Sequence, residues 1–391
     1  SLELEPGVKA SIESQSALKR AKQKGRQVLD TIHDELSLTD WYHEEWLDQV
    51  YSHVIDEFDA ACDRWRDLYR AARKQEEIQR GIELDHSKTK PERNRAKRLR
   101  QEAVSQINLL TESSNVIQSD FYSYRYFASE GFLPGYNFPR LPISAYVPAR
   151  RIKTGQDEFL SRPRFLAISE FGPRAFLYHE GSRYQINRVI MPVSVSADGE
   201  DLLTRRAKIC PVCGYLHPIQ HGDGIDRCEN CDAMLVQTLT SLFRLQNVAT
   251  KRRDRISSDE EERTRYGFDL KTVLRFSEHE GRQLSRKAII QVEDETIGEM
   301  TYGSAATLWR INLGWRRRSN TDQHGFVLDT EGGYWAKNDA IEEDEDDPLG
   351  QMTHRVIPFV EDRKNCLILK PAGNLSKEEM ASLTAALKMA I

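Results

Sequence analysis

Two short stretches decide how this chain is read: Lys208-Ile209-Cys210-Pro211-Val212-Cys213-Gly214-Tyr215 and Arg227-Cys228-Glu229-Asn230-Cys231-Asp232. Each holds a Cys-x-x-Cys pair, and 14 residues separate the pairs. A two-residue gap lets both sulfurs of a pair turn toward one point. Two pairs then supply four thiolates, the donor set of a closed, structural zinc site with no open position for water. Gly214 follows the first pair, where a tight turn calls for positive φ. Two disulfides or four unrelated thiols would use the same residues, but paired spacing in a chain of cytosolic character favours metal. His217, His221 and Asp226 lie in the intervening loop as substitutes for one sulfur. Cys62 and Cys366 stand in apolar or strand-like surroundings and read as packing residues.

Outward from the cysteines the sequence alternates short apolar runs with Gly, Pro, Asn and Asp. Residues 165–168, 175–178, 184–195, 235–245, 270–276, 288–292 and 356–360 read as strands of an antiparallel, β-rich module. The segment Gly303–Asn312, with Ala305, Ala306, Leu308, Trp309 and Ile311, reads as a helix packed on that sheet.

Upstream the period changes. From Thr39 or Asp40 the apolar positions Trp46, Val50, Val54, Phe58, Cys62, Trp65, Tyr69 and Ala72 recur every three or four residues, as in one long amphipathic helix. A polar break from Gly81 to Pro91 precedes a second helix with Pro91 in its first turn and Leu99, Val104, Ile107, Leu110 or their neighbours inward. Short connections make such helices antiparallel neighbours. Residues 16–30 are also helix-compatible and carry Lys19, Arg20, Lys22, Lys24 and Arg26. The expected architecture is α+β: a long-helix hairpin over residues 1–118, then a β-rich module over 119–391 with a four-cysteine zinc ribbon inserted at about 205–235. Ser376 with Glu379 forms a capping box for a last helix bearing Met380, Leu383 and Leu387, which Ile391 leaves unfinished, as in a piece of a longer chain.

At 391 residues, 39% hydrophobic and 30% charged, the chain is long enough for more than one core. No run of about 18 apolar residues occurs, so no membrane span is expected. Nor does a basic, then apolar, then small-residue leader open the chain, and the expected compartment is the cytoplasm. The net charge of -5 places any nucleic-acid contact in local patches. Lys88, Lys90, Arg93, Lys97 and Arg98 form one patch, Lys251, Arg252 and Arg253 a second, and Arg316, Arg317 and Arg318 a third. Beside the third stands Trp315, whose ring is suited to stack on a base. Each patch taken alone also fits a solvated face. The acidic run Glu342–Asp347 repels itself and reads either as an inert loop or as a phosphate mimic that gates a basic groove.

No nucleotide-binding GK[ST] loop, GxSxG elbow or HExxH helix occurs, so no catalytic residue is assigned. His86-Ser87-Lys88 begins a phospholipase-type nuclease pattern, but Arg93 stands where its Asp belongs.

The stretch Ser119–Pro139, with Glu130-Gly131-Phe132-Leu133-Pro134-Gly135-Tyr136-Asn137-Phe138-Pro139 at its heart, is distinctive. Together with Ser161–Arg164, Glu170–Pro173, Tyr178–Gly181 and Ile311-Asn312-Leu313-Gly314-Trp315, it resembles the C-terminal region of large bacterial superfamily-2 (DEAD/DEAH-type) helicases that carry a cysteine-bearing C-terminal domain. Among these it is most similar to the helicase subunit of the DISARM antiphage defence system. The resemblance spans roughly Asp40 to Gly333. It implies that an upstream motor part binds ATP and Mg2+, while this region binds DNA and contacts a partner subunit of a defence complex. The chain departs from a complete helicase in lacking every motor motif. Two functions follow as competitors: a non-motor, DNA-binding region of a helicase or translocase, and a zinc-stabilised protein-interaction scaffold with no nucleic-acid contact. The scaffold requires exposed apolar stripes around Trp46 and Trp65.

Overall fold

The computed structural model describes residues 2–39, 42–111, 124, 126–127, 130, 132–133, 142–148, 158–191, 204–253, 267–279, 282–330, 332–336 and 353–390. The chain divides into two compact units, Ser1–Leu141 with Met191–Gly199, and Pro142–Ile190 with Glu200–Ile391.

The first unit is helical: α1 (Pro6–Glu13), α2 (Gln15–Thr31), α3 (His33–Leu36), α4 (Trp46–Leu84) and α5 (Lys90–Thr111). The long helix starts at Trp46 rather than at Thr39 or Asp40, and Gly81 stays inside it. The chain turns instead over 85–89, where the Asp85 carboxylate accepts the Ser87 amide at 2.9 Å. Thr89 and Glu92 then cap α5 reciprocally, with the Thr89 amide donating to Glu92 at 2.7 Å and the Glu92 amide to the Thr89 hydroxyl at 3.4 Å. Buried Ala61, Ala72, Ala96 and Ala103 let the two helices approach closely. The Trp65 indole N–H reaches the Leu110 carbonyl at 3.1 Å, and Arg100 pairs with Glu83 at 2.7 Å, so α4 and α5 run antiparallel, as their short connection predicts. Tyr126 inserts its hydroxyl between the Trp65 amide, which donates to it at 3.0 Å, and the Ala61 carbonyl. Phe127 and Phe132 pack on Phe58 at 4.9 and 5.4 Å. These aromatic contacts carry the helical unit past the change in composition at residue 119.

Among the described residues the second unit is built on two large sheets and a two-stranded ribbon of residues 278–279 with 282–283. Its strands are β1 (Ile143–Val147), β2 (Glu158–Arg162), β3 (Phe176–His179), β4 (Ser182–Val189), β5 (Thr204–Ile209), β6 (Leu216–Ile219), β7 (Thr238–Arg244), β8 (Val248–Arg253), β9 (Phe268–Phe276), β10 (Glu278–His279), β11 (Arg282–Gln283), β12 (Arg286–Val292), β13 (Glu295–Trp315), β14 (Phe326–Asp329) and β15 (Thr353–Pro371). Among the described residues, one sheet has the order β2-β1-β8-β4-β3 and the larger one β12-β13-β15-β7-β5-β6, with β9 on β13 and β14 on β15. Pairing is mostly antiparallel, but β1 with β8 and β15 with β7 are parallel. The larger sheet buries Ile209, Leu216, Leu242, Val273, Trp309, Ile311 and Phe359, with the Trp309 and Phe359 rings stacked at 4.6 Å.

Two expectations are corrected. Gly303–Asn312 is not a helix but the middle of β13. Trp309 and Ile311 enter the core with Leu313 beside them, a period of two that the short apolar run concealed. Conversely, 165–168 falls in a short helix, Arg164–Glu170, which buries Ala167 and Ile168. Among the described residues no helix is long and apolar enough to cross a membrane. The acidic run 342–347 and most of 119–139 lie outside the described residues.

Candidate metal centre

The strand β5 ends at Ile209 and delivers Cys210 to a tight turn. The Cys210 amide donates to the Tyr215 carbonyl at 2.9 Å and the Gly214 amide to the Cys210 carbonyl at 3.1 Å, with Gly214 at φ +71°. The second pair repeats this pattern. The Cys228 amide donates to the Ala233 carbonyl at 2.9 Å, the Asp232 amide to the Cys228 carbonyl at 2.8 Å, and Asp232 takes φ +59°. Asp is among the few residues other than Gly that tolerate this left-handed region. Two equivalent turns therefore face each other.

Their sulfurs converge. Cys210 Sγ lies 3.5 Å from Cys231 Sγ, Cys213 Sγ lies 3.6 Å from Cys228 Sγ, and all four fall within 4.8 Å of one another. A disulfide would need about 2.05 Å. Tetrahedral sulfurs held about 2.3 Å from a central ion stand about 3.8 Å apart, so the observed spread fits a bound metal. Cys210 and Cys228 are buried, Cys213 is half-buried and Cys231 is exposed. Burial resists ionisation of Cys210, but the backbone amides of Cys213 and Val212 outweigh it and bring its thiol down to about 7. Burial pushes Cys228 up to about 12 and raises Cys213 as well. A cation at the centre would hold all four as thiolates.

None of the proposed substitutes joins the sulfurs. His221 is exposed, and Asp226 accepts from the Lys208 ammonium at 3.1 Å. His217 is buried, with Nδ1 3.2 Å from the Glu229 carboxylate; burial holds its pKa below the usual histidine value. Glu229 sits between two of the ligands and accepts from Arg275 of β9 at 2.6 Å. Burial works against that carboxylate's charge, yet Arg275 holds it below the usual range. Arg275 also donates to the Leu216 carbonyl at 3.3 Å, pairs with Glu278, and lies 5.5 Å over the ring of fully buried Tyr215. The Tyr215 hydroxyl in turn accepts from the Phe276 amide at 3.2 Å. Arg275, Glu229 and Tyr215 thus tie the cysteine turns to the larger sheet, a role that carries no signal in the spacing of the sequence. Cys366 packs beside this cluster, in keeping with an apolar role.

The basic residues separate by environment. Lys88, Lys90, Lys97 and Arg98 are exposed on the 85–89 turn and α5, and Arg93 is half-buried 3.5 Å from His86. On β8, Arg252 is exposed, Lys251 is half-buried, and Arg253 donates to the Gln185 side chain at 3.0 Å. Arg316 and Arg317 are exposed. Arg318 and Trp315 depart from the expected surface role. Gly314 at φ +134° turns the chain so that Arg318 folds back onto Asp269 at 3.2 Å and onto the Trp315 and Thr321 carbonyls at 3.0 and 2.7 Å, leaving its side chain 5% exposed. The Trp315 ring stacks on Phe268 at 4.7 Å and meets the edge of Phe326 at 5.6 Å. Both side chains are committed to packing. No protein-family model, curated protein or solved structure matches this chain.

Proposed function

We propose that the chain is a non-motor region of an ATP-dependent DNA helicase or translocase of bacterial phage defence. In this reading zinc staples the β-rich unit, the helical unit grips DNA phosphates, and a partner subunit of the defence complex docks on the assembly. ATP and Mg2+ belong to a motor outside this stretch of sequence. Four sulfur donors with no position left for water favour zinc in a structural role.

The observation that carries the DNA contact is the exposed basic start of α5, where Lys90 and Lys97 recur seven residues apart on one helix face beside Arg98. The scaffold alternative needs outward apolar stripes around Trp46, which is half-buried beside Tyr42, and around Trp65. That ring instead stacks on Tyr69 at 5.3 Å and bonds to Leu110 inside the hairpin.

Fluorescence anisotropy with a labelled duplex, repeated between 50 and 200 mM salt, tests the reading. Steep salt dependence without sequence preference is expected, with a slope of about -0.9 per phosphate contacted. K90A/K97A/R98A should flatten that slope by about 2 to 3. A protein that leaves the duplex unbound at the lowest salt contradicts the proposal.

A further inference from the structure

We infer that α2 presents a second phosphate-contacting surface, made by Lys19, Arg20, Lys24 and Arg26, in line with the basic start of α5, so that one DNA duplex spans both. The inference rests on the DNA-binding reading and extends it to a site and a length of duplex.

Gly25 faces α4 without a side chain between them: a Cβ there would lie 3.1 Å from Leu47 Cδ1 and 3.4 Å from Tyr51 Oη. Lys22 is committed to the Asp48 carboxylate, which it holds below the usual range with help from Arg26 at 3.9 Å. Half-buried Leu18, Ala21 and Leu29 recur with Gly25 on the inward side, so Lys19, Arg20 and Lys24 are left exposed away from α4 and Arg26 is exposed on the flank beside Asp48. From Gln15 to Leu29 the helix carries no acidic residue.

Helical phase then relates this surface to α5. At 100° per residue, Leu47, Phe58, Trp65 and Ala72 fall within about 40° of one another on α4. The helix α2 packs at the Leu47 end of that stripe and α5 at Trp65 and beyond, through the Leu110 carbonyl and the Glu83–Arg100 pair. Both lie on one side of α4, one after the other. From Asp48 to Glu83 the long helix rises about 50 Å, which is about 15 base pairs of duplex at 3.4 Å each.

Charge along the same side favours one continuous ligand. After Glu92 the exposed residues of α5 are Asn94, Lys97, Arg98, Gln101, Val104, Asn108 and Thr111, and Glu102 is turned inward. The exposed carboxylates Asp56, Asp63 and Asp67 project from the opposite side of α4, where they would repel phosphate, while Glu57 stands on the flank of the stripe. A polyanion long enough to touch both basic surfaces gains the second contact as an intramolecular step.

The test measures affinity of the whole chain for labelled duplexes of 8, 12, 16, 20 and 24 base pairs at fixed salt. Affinity should rise about tenfold or more between 12 and 20 base pairs, beyond the gradual gain from added sites. K19E/R20E/K24E/R26E, checked for an unchanged circular dichroism spectrum and melting midpoint, should abolish that step while leaving the 8-base-pair affinity intact. K19Q/R20Q/K24Q/R26Q serves if charge reversal unfolds the unit. A smooth rise with length, or a step untouched by the substitutions, overturns the inference and leaves the α5 contact standing. Duplex unbound at every length overturns the DNA reading itself. Capture by anionic vesicles in place of duplex assigns the α2 surface to lipid and overturns the inference.

Discussion

His179 Nε2 lies 2.7 Å from Glu158 Oε2, although the two residues stand on β3 and β2, the opposite edges of the five-stranded sheet. The sheet curls far enough for its outer strands to meet at one corner. An edge strand left open presents unpaired amides and carbonyls to other chains, and closure of this kind shields part of that edge.

Both partners of this pair reach solvent, at 24% and 41% side-chain exposure, so its contribution is small. A double-mutant cycle of E158Q and H179Q in urea unfolding should give a coupling of about 0.2 to 1 kcal/mol, falling with added salt. A coupling well above that range would mean that the corner is more closed to water than its exposure implies.

One zinc per chain is expected from metal analysis, and cobalt in its place should give the charge-transfer bands of a four-thiolate site. C213S should lower the zinc content to a small fraction and loosen the turns from 210 to 235, since metal binding supplies folding free energy there. Full zinc content in C213S would remove Cys213 from the ligand set.

Loading the site must expel protons. In the metal-free chain at pH 7 the thiols of Cys213 and Cys228 are protonated, because burial raises both, while Cys210 with its pKa of about 7 is half ionised. Calorimetric titration in buffers of different ionisation enthalpy should therefore show about two or more protons released per zinc. The sign follows: affinity weakens as pH falls and protons compete for sulfur. Release of fewer than about one proton would contradict this.

The guanidinium of Arg275 fixes Glu229 between two of the ligand positions. R275A should weaken zinc retention against a chelator about 10- to 100-fold, and R275K should not restore it, because an ammonium cannot reach Glu229 and the Leu216 carbonyl with one planar fork. Equal retention in all three proteins would reduce Arg275 to a surface bridge.

Gly303 sits at the irregularity in the pairing of β13 with β15, and a Cβ there would run into the Phe276 ring. G303A should destabilise the β-rich unit by about 1 to 3 kcal/mol in chemical denaturation. An unchanged midpoint would show that Phe276 can swing aside.

The parts that the sequence made legible are those whose signal is local. Cys-x-x-Cys spacing located the four sulfurs that converge, and the period of Phe58, Trp65 and Ala72 located the long helix. What escaped is non-local. Trp309 and Ile311 belong to a strand because β9 and β15 flank them, and a run as short as 303–312 reads equally well as helix. Arg318 and Trp315 look like surface groups until Gly314 reverses the chain and turns them onto Asp269 and Phe268. Arg275 lies more than 40 residues from the nearest cysteine in sequence, and only the pairing of β9 brings it to Glu229.

Of the four sulfurs only that of Cys231 belongs to an exposed residue. With an ion held among the four sulfurs, a chelator or metallochaperone would meet Cys231 before its three more sheltered companions. Electrophiles and oxidants would reach the same sulfur first, so the most exposed side chain of the four is also the cluster's point of entry.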